Sequence, residues 1–265
     1  MFQKDEDRAE DVTVEFEQHR SYLQAIAYRL LGSWAGAEDA VQETWLRART
    51  AQDVRDPKAW LATVVARICI DQLRARRPPL LPDPLVADDD PESAAVRADA
   101  VGLALLVVLD TLTPAERVAF VMHDAFGVPF EELAPILGRS VTAARQLASR
   151  GRRRARAAPV PDRDLARQRT VLAAFLAAAR DGDLGGLLAV LDPRIELRAA
   201  TPAGLRVLHG AADVAHEAAL FASRAERARP VLVNGSAGLD VPGTAVLAFT
   251  IRDGVIATLL IYSTR

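Results

Sequence analysis

The stretch that most constrains this chain runs from Pro129 to Arg156, PFEELAPILGRSVTAARQLASRGRRRAR. Leu133, Ile136 and Leu137 keep helical spacing. Gly138 suits a left-handed stop after them, and Ser140 suits the cap of a second helix. That second helix carries Arg145, Arg150, Arg152, Arg153, Arg154 and Arg156, with Gln146 and Ser149 between them. Two short helices joined by a tight turn, the second ending in arginines, fit a DNA major groove. Polar side chains there meet base edges and guanidiniums pair with phosphates. The bland alternative is a solvated amphipathic helix pair. Pro135 fits least well, because a proline deep in a helix costs about 3 kcal/mol, less near the first turn.

A net charge of −2 over 265 residues does not argue against nucleic acid, because the charge is segregated. Acid gathers from Asp5 to Glu17 and again from Asp83 to Asp99; base gathers at Arg74, Arg76 and Arg77 and after Arg145. The length suggests two or three small domains. The single cysteine, Cys69, excludes an intrachain disulfide and a multi-cysteine metal site, and reads as a buried thiol in a reducing compartment. No cofactor and no metal are expected. There is no apolar signal core and no run of about 18 apolar residues, so a cytoplasmic protein without a membrane partner is expected.

Taken in order, Leu23, Ile26, Ala27, Leu30 and Leu31 mark a helix from Phe16 to Leu31 that Gly32 ends. Ser33 suits the cap of the next, whose inward stripe is Ala37, Ala40, Val41, Thr44 and Ala48. Glu38, Asp39, Gln42 and Glu43 share the other side with Trp45 at the border, and Glu38 and Asp39 suit a positive helix N-terminus. An acidic face edged by tryptophan suits a partner interface as well as plain solvent. Asp56-Pro57 opens a third helix, with Leu61, Val64, Val65 and Ile68 inward, that Pro78 and Pro79 stop. PPLLPDPLVADDDPESAA reads as a linker. A helix from about Glu92 to Leu109 follows. Thr113-Pro114-Ala115-Glu116 is a capping box. His123 reads as structural.

After AAPVPDRD, a second linker, the pattern changes. A helix is expected from about Asp164 to Arg180 and another from about Ala212 to Glu226. Strands are expected at RIELRA, LRVLHG, RPVLVNG, TAVLAFTIR and VIATLLIYS, with Asp253-Gly254 as a tight hairpin turn. The chain thus holds an all-helical part and an α+β part of about a hundred residues.

AYRLLGSWAGAEDAVQETWLRA resembles the second conserved region of bacterial sigma factors of the extracytoplasmic-function type, with Glu38, Asp39, Gln42, Glu43 and Trp45 meeting its pattern. DPKAWLATVVARICIDQLRARR resembles the helix of that region beneath the −10 promoter element. TLTPAERVAFVMHDAFGVPFEELAPILGRSVTAARQLASRGRRRAR resembles the fourth region, which reads the −35 element. The last hundred residues resemble a SnoaL-like domain, a cone with a pocket, which one subgroup carries as a fused regulator. That subgroup's Trp-Leu-Pro-Glu-Pro motif stands here as Leu80-Leu81-Pro82-Asp83-Pro84, without the tryptophan, and its Asp-Gly-Gly-Gly-Lys motif is not visible.

The resemblance implies four segments: 10–78, a region-two domain; 79–92, an acidic linker; 93–157, a region-four helix-turn-helix domain; and 163–265, a SnoaL-like regulatory domain. It implies as partners core RNA polymerase, through its β′ and β subunits, and promoter DNA. The polymerase-binding residues would be Glu38, Asp39, Gln42, Glu43 and Trp45. The −10 contacts would be Val54, Arg55, Asp56, Trp60, Arg67, Asp71, Arg74, Arg76 and Arg77, reading a base that has left the stack. The −35 contacts would be Arg139, Ser140, Thr142, Arg145, Gln146, Ser149, Arg150 and Arg153. Leu81, Pro82, Asp83 and Pro84 would serve interdomain regulation. The last domain's pocket would sense a small molecule. The rival readings are a SnoaL-like binding protein or isomerase/cyclase-type enzyme fused to a DNA-binding regulator, with His209, His216 and Asp240 as acid–base candidates, and a repressor or activator that works without polymerase.

Overall fold

The computed structural model describes residues 2–51, 54–75, 81–88, 103–156, 162–201 and 203–263; the side chains of 2–13 and 104 are outside that description. Arg76, Arg77, the acidic run 89–99 and the linker 157–161 lie outside the described residues. The chain divides into two compact units: 1–83 with 108–157, and 84–107 with 158–265.

The first unit is helical. Helix α1 (Phe2–Leu31) starts well before the expected Phe16. Gly32 takes φ 65° behind it, a conformation open to glycine. Ser33 accepts the Gly36 N–H at 3.2 Å and starts α2 (Trp34–Ala48). Asp56 accepts the Ala59 N–H at 3.0 Å and starts α3 (Pro57–Ala75). Leu23, Ile26 and Leu30 of α1, Ala40 and Val41 of α2, and Val65, Ile68 and Cys69 of α3 are buried together. Burial, and behind it the charge of Glu43, pushes the Cys69 thiol pKa up, so the thiol stays protonated and inert.

Helix α4 (Leu103–Asp110) leads to α5 (Pro114–Phe120). Both bonds of the capping box form: Thr113 Oγ1 accepts the Glu116 N–H at 3.3 Å, and Glu116 Oε2 accepts the Thr113 N–H at 3.2 Å. A π-helical turn (Val121–Ala125) continues α5. His123 within it points Nδ1 at the Val128 carbonyl oxygen, 3.0 Å away, and stacks on Phe130 with ring centroids 3.8 Å apart. Buried Arg117 is the hub of this region. Its guanidinium pairs with Asp110 at 2.7 Å and donates to the Leu30 carbonyl at 2.9 Å, which ties α5 to the C-terminal end of α1. Helices α6 (Phe130–Leu137) and α7 (Val141–Ala155) follow.

The stretch read as one linker is more ordered than its prolines suggest. In the helical unit, Leu81 and Pro82 are buried. The Asp83 N–H donates to the Gly32 carbonyl at 2.7 Å, Tyr28 Oη donates to the Asp83 carbonyl at 2.6 Å, and the Trp34 N–H donates to Asp83 Oδ2 at 3.0 Å. In the second unit, Val86–Asp88 is a strand, β1, not spacer. The Leu85 N–H donates to Asn234 Oδ1 at 2.9 Å, and the Asn234 N–H donates to the Leu85 carbonyl at 2.8 Å.

The second unit packs helices α8 (Leu165–Asp181), α9 (Leu184–Val190) and α10 (Ala211–Leu220), with the short α11 (Ala222–Ala225), on a seven-stranded sheet. Its strands after β1 are β2 (Leu191–Thr201), β3 (Gly204–His209), β4 (Arg229–Val233), β5 (Ser236–Val241), β6 (Ala245–Arg252) and β7 (Val255–Ser263). The order is β1-β4-β5-β6-β7-β2-β3, antiparallel throughout except for β2 against β7. The sheet is open, with β1 and β3 at its edges. Asp253 at φ 53° and Gly254 at φ 81° make the expected hairpin turn. Asn234 at φ 50° and Gly235 at φ 76° make a second one, in residues read as the end of a strand. Strand β5 was not expected. Gly238 within it leaves room for Val233 and the Leu247 carbonyl, since a Cβ there would lie 2.5 and 2.9 Å from them. The helix expected over 212–226 is split between α10 and α11. Among the described residues no helix is long and apolar enough to cross a membrane.

Candidate functional site

Three surfaces of the helical unit carry the residues singled out by sequence. On α2, Ala37, Ala40, Val41, Thr44 and Ala48 are buried, which leaves Glu38, Asp39 and Gln42 exposed on the other side. Glu43 is half-buried and pairs with Arg47 at 2.5 Å. Trp45 is half-buried against Phe16, with ring centroids 5.0 Å apart. Because α2 begins at Trp34, Glu38 and Asp39 lie past its first turn, so the expected help from the helix N-terminus does not apply.

On α3 and the loop before it, Val54 and Trp60 are half-buried, while Arg55, Asp56, Arg67, Asp71 and Arg74 are exposed. Asp56 is spent as the helix cap, and Arg74 pairs with Asp71 at 3.5 Å. Lys58, not singled out by sequence, sits with Nζ 4.8 Å from the centre of the Tyr22 ring.

The helix-turn-helix is set by local signals. Leu133, Ile136 and Leu137 are buried, Gly138 turns at φ 61°, and Ser140 accepts the Ala143 N–H at 3.2 Å. Pro135 is accommodated on the exposed side of α6. Helix α7 buries Ala144, Ala148 and Gly151, and exposes Thr142, Arg145, Gln146, Ser149 and Arg153 along one face. Arg139 and Ser140 are exposed at its start.

The trailing arginines are not equivalent. Arg150 and Arg154 lie 3.3 and 3.0 Å from the two carboxylate oxygens of Glu116, and Arg152 lies 2.6 Å from Asp124. They are therefore engaged within the unit in the absence of DNA, so a phosphate contact by any of the three would compete with its carboxylate partner. Arg145 lies 3.3 Å from Glu131 and over the Phe130 ring at 5.7 Å. Arg139, Arg153 and Arg156 have no carboxylate partner among the described residues. Burial raises the Glu116 pKa, but the Thr113 hydrogen bonds and the Arg154 and Arg150 charges outweigh it, and its pKa falls below the ordinary value. Beyond its place in the capping box, nothing in the residues around Glu116 marks it as an arginine anchor.

The second unit holds a cavity of about 190 Å³. Phe175, Leu176, Leu197, Leu239, Leu247 and Leu259 are among its apolar walls. None of the three acid–base candidates lines it. Asp240 pairs with Arg229 at 3.1 Å on the other face of β5. His209 is 72% exposed, 3.6 Å from Glu196, and His216 is exposed.

The geometry is that of a helical unit with a helix-turn-helix and a second exposed helix face, joined in one chain to a helix-plus-sheet unit. Residues 16–78 match the sigma-70 region 2 family and residues 102–154 match sigma-70 region 4. The ECF RNA polymerase sigma factor SigJ of Mycobacterium tuberculosis is 38% identical over 282 residues, covering 92% of this chain and 89% of SigJ. The probable ECF RNA polymerase sigma factor SigI of the same organism is 38% identical over 197 residues, 69% of this chain and 68% of SigI. The crystal structure of SigJ superposes with a TM-score of 0.78 at 36% identity, covering 95% of this chain and 96% of that one. The chain belongs to the extracytoplasmic-function RNA polymerase sigma factors. Proteins of this family bind core RNA polymerase and promoter DNA, and sigma factors are not enzymes.

Proposed function

We propose that this chain acts in the cytoplasm as a promoter-specificity subunit with the following division of labour. The α2 face of Glu38, Asp39 and Gln42, with Glu43 and Trp45 at its margin, docks on core polymerase through the β′ subunit. The loop at Val54–Asp56, with Trp60 and the exposed Arg67, Asp71 and Arg74, receives the −10 element. Arg76 and Arg77 continue that basic flank in the sequence. Arg139, Ser140, Thr142, Arg145, Gln146 and Ser149 read the −35 element, and Arg153 holds phosphate. Arg150 belongs to this set only once it leaves Glu116. Leu81, Pro82, Asp83 and Pro84, and the sheet unit that follows, modulate the activity, with a small-molecule ligand in the cavity. The sheet unit serves here as a binding domain, a reading supported by the placement of His209, His216 and Asp240 away from its cavity.

The observation that carries the polymerase reading is the exposed acidic-amide face on α2, which a repressor or activator with only a helix-turn-helix does not need. The test is run-off transcription with purified core polymerase on genomic promoter fragments, comparing the full chain with a Glu38→Lys/Gln42→Ala variant. Promoter-specific transcripts from the first and loss of core binding by the second are expected. Core binding undiminished in the variant would remove α2 as the docking face. No transcript and no core binding by the full chain would favour a stand-alone regulator.

A further inference from the structure

We propose that the cavity of the sheet unit binds a mono-anionic amphiphile: an apolar body, either one ring or a medium-length alkyl chain, ending in a carboxylate. This deepens, and rests on, the reading of that unit as a ligand-responsive regulator.

Size sets the body. At about 190 Å³ the space exceeds the roughly 150 Å³ of an apolar cavity that takes up benzene. The deep walls come from α8 and the middles of β2, β5, β6 and β7, and they offer no charged group. Water held there would lack the two to four polar partners it needs.

Polarity sets the direction. The polar lining residues gather at one end, as the strand register shows. Ser263 lies opposite Ala245, and Thr244 precedes it; Tyr262, beside Ser263, lies opposite Ala200, beside Thr201. Arg206 lies across from Ala199 on β3. Glu217 joins this end through its bonds to Arg206, and Arg224 lies shortly before β4, whose first residue, Arg229, pairs with Asp240 beside Val241, the residue opposite Ala245. A ligand with one wet end and one dry end fits such a cavity.

Charge sets the head group. Among the lining residues two guanidiniums stand against one carboxylate, and that carboxylate is already held. Arg206 donates to both Glu217 oxygens, at 2.7 and 2.6 Å. Arg224 lies over the Phe221 ring at 4.8 Å and has no carboxylate partner among the described residues. An entering anion meets an uncommitted guanidinium, whereas an entering cation meets that same charge and finds Glu217 occupied. The lining supplies hydroxyls but no side-chain amide, which disfavours a sugar or peptide body.

The test is calorimetric titration of the full chain with decanoate, decan-1-ol and decyltrimethylammonium, each below its micelle concentration. Decanoate is expected to bind saturably at one site, and octanoate about sixteenfold more weakly, at about fourfold per methylene. Arg224→Gln, a change at an exposed residue, is expected to weaken decanoate about tenfold and leave decan-1-ol unchanged. Ala199→Phe, which fills the cavity, is expected to abolish binding of both; if it fails to fold, the Arg224 variant alone decides the case. No saturable binding, equal affinity for the anion and the cation, or undiminished binding in a folded Ala199→Phe variant would overturn the proposal. Run-off transcription with and without decanoate separates the two levels. Binding that leaves promoter output unchanged supports the site and sinks ligand regulation, whereas a change in output that Arg224→Gln weakens supports both.

Discussion

A Cβ added to Gly151 would lie 2.7 Å from the Cβ of Phe120 and 3.1 Å from the Glu116 carbonyl oxygen. Helix α7 therefore approaches α5 closely enough to exclude any side chain at that point. Alanine would gain about 1 kcal/mol in helix propensity, while overpacking a tight contact costs about 1–3 kcal/mol. Gly151→Ala is expected to destabilise the helical unit by about 1 kcal/mol and Gly151→Val by more. Chemical denaturation followed by helical circular dichroism measures both. A more stable alanine variant would mean that the two helices separate freely.

Glu116 makes the same contact pH-sensitive. Its folded pKa is depressed, so the unfolded chain binds its proton more readily, and stability rises with pH across that interval. The contribution is fully present above the ordinary glutamate value and is lost as pH falls through the lower folded value. Thermal melts stepped from neutral to acid should show a fall in stability that is shallower in Glu116→Gln than in the parent. Parallel curves would remove Glu116 from the account.

Arg145 has two possible employers. In the free protein it rests between Glu131 and Phe130. As a base reader it would cost about 1–3 kcal/mol of affinity on truncation to alanine, and more on the preferred −35 sequence than on others. Glu131→Ala should do the reverse and tighten binding by releasing the guanidinium. Fluorescence anisotropy with matched and scrambled −35 duplexes separates these outcomes, and an equal loss on both duplexes makes Arg145 a phosphate contact instead.

The division among the trailing arginines has its own signature. Arg153→Ala should weaken all DNA sequences alike and lower the salt slope by about one. Arg150→Ala should do less to the slope, because Arg150 is held by Glu116. Salt titrations of duplex binding by the two variants make the comparison, and equal slopes would show that Arg150 leaves Glu116 on DNA.

What was legible in the sequence was what neighbouring residues decide. Ser33, Asp56, Thr113, Ser140, Gly138 and Asp253-Gly254 act over three or four residues, and each forms the cap, stop or turn that its chemistry favours. Periodicity likewise marked the buried stripe of α2. The omissions depend on partners far along the chain. Val86–Asp88 looks like spacer because its pairing strand lies near residue 232. Strand β5 was lost because Gly238 weakens its pattern, and the need for that glycine arises from Val233 and Leu247 on neighbouring strands. Which arginines are free could not be read at all, since Glu116 and Asp124, which hold three of them, stand 28 to 38 residues before their partners. The alternation of β5 put Asp240 away from the cavity, but only the order of strands revealed which face the cavity occupies.

Arg117 reaches across to the Leu30 carbonyl inside a single compact unit, in which α3 also packs against α6. Packed helices stand only about 8–10 Å apart axis to axis. The −10 and −35 elements, by contrast, are separated by about 25 base pairs, or roughly 85 Å of duplex at 3.4 Å per pair. In the proposed promoter role, a molecule that grips both elements at once has to release the Leu30 carbonyl and draw its two readers apart. The Arg117 contact is then a latch, and its strength sets how much of the protein stands open and ready for a promoter before polymerase arrives.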